Sequence, residues 1–251
     1  MIIPVSTKAP SIVSTKAAWL TIGAGVAYQA LLGALIFFRP DLNPSWHSVS
    51  EWAIGPHGWI MSGTFLVCSI SYCSLFVLLR RQLRSRMGEI GLAILLICAV
   101  GVAGAGVFTT DPMPFRPPLS SRGTLHVACG TSQLVLFPLA ALLISRGLAI
   151  TQGAWATARK RVLRTGWLPL SAFLCFAVYT ALFVVPLGPH AYGPGVNIGW
   201  PPRLAFLAYT LWTLIVAGSF IGLSRKLSAN VGPAERETSD PPVARALVSP
   251  L

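Results

Sequence analysis

Ser50, Glu51, Asp111 and His126 bring together a hydroxyl, two carboxylates and an imidazole, the groups from which nucleophilic or general acid–base catalysis is assembled. A serine mechanism would require His126 within hydrogen-bond reach of Ser50, without the help of a G-x-S-x-G elbow. His57, Asp111 and His126 offer a different chemistry, a metal held by three protein ligands with Glu51 as base. Their spacing fits neither HExxH nor HxxxH, so no metal is assigned firmly and the ligands would have to come from separate segments. Arg116 and Arg122 extend the set: with Glu51, Asp111 and His126 they form a group able to read a charged headgroup. Nothing in the pattern names a cofactor.

These residues lie between long apolar segments. With 54% hydrophobic and 10% charged residues in 251, the chain is far more apolar than a soluble domain, and its surface must face lipid. Runs of about 20 apolar residues suit helices that cross a bilayer, and weak period-2 alternation argues against a barrel. The expected fold is all-α: a polytopic integral membrane bundle of six transmembrane helices at 17–38, 57–79, 88–108, 124–145, 166–186 and 203–223. Segment 1–16 is expected to be cytoplasmic, and 224–251, rich in Pro, Ser and mixed charge, a disordered cytoplasmic tail. Lys8 and Lys16 precede an apolar stretch, as in a signal peptide, but that stretch is too long and is followed by FFRPDLNPS without a cleavage site. It reads as a retained first helix.

Charge sets the expected orientation. Fifteen of the nineteen Lys and Arg residues fall on the side of the N-terminus, leaving Arg39, Arg116, Arg122 and Arg203 opposite. Basic loops stay in the cytoplasm, so both termini are placed inside, in a cell membrane. All four histidines then face outward. The net charge of +12 is explained by this topology and calls for no nucleic-acid partner. Membrane lipid is the expected partner, and segments such as RRQLRSR and ARKRVLR can also hold anionic headgroups. Protein partners are not named by the sequence. The five cysteines fall within spans, carry no C-x-x-C pair, and read as small apolar residues.

Several local features carry packing expectations. Gly101, Ala103, Gly104, Ala105 and Gly106 should allow close helix contact. Pro138 should kink the fourth span unless a neighbour satisfies the carbonyl it frees. Trp46, Trp52, Trp59 and Trp200 suit an interfacial aromatic belt. Glu51, close to the membrane edge, needs a partner, for which Arg39 and Arg122 are candidates. The Gly- and Pro-rich segment LGPHAYGPGVNIGWPPR carries His190, Tyr192 and Asn197 and is able to fold over the outer mouth as a cap.

The segment SVSEWAIGPHGW, a basic loop, a glycine-rich third span ending in FTTDP, and then RGTLH resemble the bacterial membrane family known as domain of unknown function 998. The resemblance covers the six spans, leaves out the tail, and implies a place in the cell membrane of a bacterium, its inner membrane. It rests on Ser50, Glu51, Trp52, Asp111, Gly123 and His126. The family's form of the loop is closer to FPTDP, so FTTDP departs from it. More distantly, the chain resembles six-helix FRAG/DRAM-like proteins, which implies a place in lipid homeostasis or membrane stress.

Three functions remain open on the sequence. The first is binding, or helping to move, a lipid-like amphiphile at an outward polar site, with Glu51, Asp111, Arg116, Arg122 and His126 as the ligand-binding residues. The second is an intramembrane metal-dependent or serine hydrolase acting on a lipid. The third is a structural or regulatory membrane protein whose polar cluster only staples helix ends. The expectation common to the first two is that Glu51, Asp111 and His126 form one coupled site, with Ser50 bonded within it.

Overall fold

The computed structural model describes residues 12–230. Six long helices account for most of them: α1 Ile12–Phe38, α2 Gly58–Leu79, α3 Arg86–Val107, α4 Ser121–Ile150, α5 Trp155–Tyr179 and α6 Trp200–Asn230. No strand occurs among the described residues. All six helices are long and apolar enough to cross a membrane, as required of backbone polar groups that have no water to bond. The chain is a multi-pass, all-helical integral membrane protein.

The helices outlast the apolar runs that announce them. α4 reaches Ile150, α5 starts at Trp155 within the basic segment, and α6 continues to Asn230, seven residues into the expected tail. Hydropathy marks where lipid begins, whereas backbone hydrogen bonding continues through Arg, Lys, Leu and Ala, all good helix formers. The remainder of the tail, like the first eleven residues, lies outside the described residues.

Each helix packs on its neighbours in the chain, and α6 returns to α1 while also touching α2 and α4. The apolar window of α6 is accordingly 61% buried and that of α5 only 6%. α6 fills the middle of the bundle, and α5 lies at the edge, continued by a wide turn at Thr180–Val184 and a tight one at Val185–His190.

The glycines of α3 serve the expected close contact. A Cβ at Gly101 would stand 2.8 Å from the Cys129 carbonyl oxygen of α4, and one at Gly106 would stand 2.8 Å from that of Ser62 in α2. Pro138 has the partner that its missing N–H calls for. It frees the carbonyl of Leu134, and the Tyr209 hydroxyl of α6 donates to that oxygen at 2.8 Å. Around this point Phe137 stacks on Tyr209 with ring centroids 4.8 Å apart and meets Tyr72 at 4.7 Å. Buried polar pairs cross between helices nearby: Trp212 Nε1 donates to Ser145 Oγ at 3.0 Å, and Gln133 Nε2 donates to Tyr72 Oη at 3.1 Å. The five cysteines are free thiols.

Candidate functional site

The loops at 39–57, 108–120 and 191–199 meet at one end of the bundle, with all four histidines at that end. The opposite end carries Arg80, Arg81, Arg84, Arg86, Arg159, Lys160, Arg161 and Arg164. The first loop is held by two buried arginines. Arg39 Nη1 donates to the carbonyls of Ile54 at 2.7 Å and Pro56 at 3.1 Å, and its Nη2 pairs with Asp41 at 2.7 Å. That guanidinium holds the Asp41 carboxyl below its usual range. Arg203, 7% exposed in the first turn of α6, directs Nη1 at the carbonyls of Pro44, His47 and Gly199 and lies 4.4 Å over the ring of Trp52.

Between these clamps the chain makes one tight turn, Val49–Ala53. Glu51 fixes it by accepting the Ser48 amide at 2.6 Å and the Tyr192 hydroxyl from the third loop. Glu51 therefore pairs with neither Arg39 nor Arg122. Burial, followed by the hydrogen bond to Glu51, pushes the Tyr192 phenol well above its ordinary range, so it stays a donor. Trp52 departs from the expected interfacial belt. It is 2% exposed and donates Nε1 to the Leu35 carbonyl at 3.2 Å, whereas Trp59 at 74% exposure suits the belt.

Held in this turn, Ser50 meets His126 of α4. His126 Nε2 lies 2.8 Å from Ser50 Oγ, and Nδ1 lies 2.7 Å from the Phe108 carbonyl and 3.0 Å from that of Ala105. Those carbonyls belong to the end of α3, where the helix leaves acceptors without partners. Carbonyls only accept, so in the neutral ring Nδ1 carries the hydrogen. Nε2 is then left to accept the Ser50 hydroxyl. His126 is buried, with the edge of Phe65 against its ring.

Asp111 belongs to a different group. Its two oxygens accept the Ser120 amide at 2.8 Å and the Ser120 hydroxyl at 2.6 Å, while Ser120 Oγ accepts the Gly123 amide at 2.9 Å. The carboxylate thus secures the start of α4, where negative charge is favoured. A Cβ at Gly123 would come within 2.5 Å of the Asp111 carboxyl carbon, which accounts for glycine at this position. The expected single site is therefore divided: Ser50 with His126, Glu51 with Tyr192, and Asp111 with Ser120. Asp111, half-buried, and Arg116, exposed, line a surface cleft of about 490 Å³ with Pro112 and Pro114. Arg122 is exposed at the start of α4. His57 is exposed too, in a left-handed conformation (φ 62°) just ahead of α2. His57, Asp111 and His126 do not converge, and among the described residues no three His, Cys, Asp or Glu side chains form a metal-binding group.

A cavity of about 300 Å³ opens beside the Ser50–His126 pair. Its apolar walls include Phe65 of α2, Val127 and Leu134 of α4 and Phe206 of α6, and Gln133 contributes a polar patch. α5 supplies none of its lining. Arg203 and Gln133 were not singled out from the sequence as structural or lining partners, and Tyr192 was named only within the segment able to cap the mouth, from which it reaches Glu51. Arg203 had a visible signal, a lone arginine opening an apolar helix. Gln133 had none, because its partner Tyr72 comes from a segment far away in the chain.

The sequence pattern of a family described as protein of unknown function (DUF998) matches residues 21–219. The match runs from α1 into α6 and includes every residue of the site. Neither the curated proteins nor the solved structures gave a significant match.

Proposed function

The chain belongs to the DUF998 family, and from that premise we propose that it binds, or helps to move, a lipid-like amphiphile, with the headgroup at Ser50 and His126 and the chain in the cavity between α4 and α6. The observation that carries this reading is the cavity itself, a largely apolar space of about 300 Å³ with the Ser50–His126 pair in its lining. A pocket with apolar walls and few polar groups fits a ligand of the same division. The protein sits in the cell membrane of a bacterium, with the basic end toward the cytoplasm and the histidine end outward. The concentration of Arg and Lys at the first of these ends supports that orientation. Arg116 is exposed and follows Phe115 of the cavity lining, which leaves it free to meet an anionic headgroup.

The test fills the cavity. Gly130 lines it and has open space where a Cβ would stand, so Gly130→Leu adds an apolar side chain without a backbone clash. Native mass spectrometry of the protein, purified with membrane lipid retained, should find an amphiphile bound to the wild type. At least ten times less should be bound to Gly130→Leu, at unchanged thermal stability. Equal occupancy in both proteins, or none in either, would defeat the reading.

A further inference from the structure

Hydroxyls inside helices ordinarily donate back to the carbonyl one turn earlier. Thr21, Thr64, Thr124, Thr165 and Thr213 all do so here. Ser50 differs: its hydroxyl reaches an imidazole nitrogen 76 residues away, and the ring's other nitrogen is held by backbone carbonyls. A hydroxyl facing a correctly oriented ring nitrogen is the arrangement of an activated serine nucleophile. Both groups also line the cavity, so a bound molecule would lie against them.

We propose that Ser50 is the nucleophile, and His126 its general base, of an acyl-transfer reaction on an ester-linked amphiphile. This rests on the amphiphile reading of the same cavity. Ser50 Oγ attacks the ester carbonyl carbon as its proton passes to His126 Nε2. The carbon–oxygen bond to the alcohol portion breaks, and the departing oxygen takes the proton from Nε2, leaving the acyl group on Ser50. Water then attacks the acyl carbon and gives a proton to Nε2. Ser50 Oγ departs and recovers that proton, so ester and water become acid and alcohol. The orienting partners of His126 are neutral carbonyls, which stabilise an imidazolium less than a carboxylate would, and turnover is therefore slow. Glu51 is a positioning residue: it fixes the turn through the Ser48 amide and Tyr192.

The full-length protein in lipid nanodiscs is treated with ethyl and dodecyl fluorophosphonates, and the adduct is located by peptide mass spectrometry. Both probes should label Ser50, the dodecyl probe at least ten times faster. Ser50→Ala, a change that removes one half-buried oxygen, should abolish the adduct, and His126→Gln should slow it about 100-fold, the scale of a general base. Gly130→Leu should slow the dodecyl probe and spare the ethyl one. Absence of an Ser50 adduct from either probe, in protein that retains lipid, overturns the nucleophile and leaves the binding reading standing. Equal labelling by both probes, unaffected by Gly130→Leu, overturns the amphiphile as substrate while Ser50 remains reactive.

Discussion

The two ends of the bundle handle polar groups in opposite ways. At the histidine end, Arg39, Glu51, His126 and Arg203 are all buried and bonded to carbonyls, hydroxyls or amides. At the basic end, Arg80, Arg81, Arg84, Arg159, Lys160, Arg161 and Arg164 are exposed. The sidedness of a membrane protein follows the number of basic residues in its loops rather than their geometry. A few charges at the other are folded into loops, and burial is tolerable only where each finds partners. The difference teaches that charge density does not locate a site. The candidate site lies at the end with fewer cations, where polar groups are held in fixed directions.

The contrast is broken most directly at Arg203. Arg203→Leu removes the donor shared by the Pro44, His47 and Gly199 carbonyls and the cation over Trp52. Leaving buried acceptors without partners should lower stability by about 3 kcal/mol or more, measured by denaturant titration in mixed micelles. A loss below about 1 kcal/mol would mean that the first loop is held by other means.

Gly123→Ala should come next. Its methyl would collide with the Asp111 carboxylate that secures the start of α4, an overpacking expected to cost about 2 kcal/mol. Asp111→Ala in the same chain should remove most of that penalty, because the obstacle is gone. A double-mutant cycle with no coupling would dissociate Asp111 from Gly123.

The smallest effect is expected at the opposite end. Arg161→Ala alters an exposed side chain and should change stability by less than about 0.5 kcal/mol in the same titration. A loss comparable to that of Arg203→Leu would erase the distinction between the ends.

Ser50, Glu51, Asp111 and His126 were legible as chemistry-bearing residues, since each is a polar group at the margin of an apolar span. Their grouping was not. Asp111 and His126 are close in sequence, yet Asp111 is engaged by Ser120, which the turn brings nearer. Ser50 and Glu51 are adjacent but have different partners, because consecutive side chains in a tight turn point in different directions. Trp52 went with Trp59 on residue type alone, and the Leu35 carbonyl and Arg203, both distant in sequence, separate the buried ring from the exposed one.

By itself the sequence determined six helices, their order, the glycine-rich contact face of α3, the need for a partner at the Leu134 carbonyl and the family. These follow from local quantities: the length of an apolar run, the small size of glycine, the missing N–H of proline and a short pattern of motifs. The tertiary structure alone decided that α6 is central and α5 peripheral, that Tyr209 supplies the Leu134 carbonyl, and that Ser50 faces His126 beside a cavity. Helices this apolar all round carry little record of which face turns inward. Rotation and depth are fixed only when all six pack together, and a hydrogen bond between residues 76 apart exists only once they are.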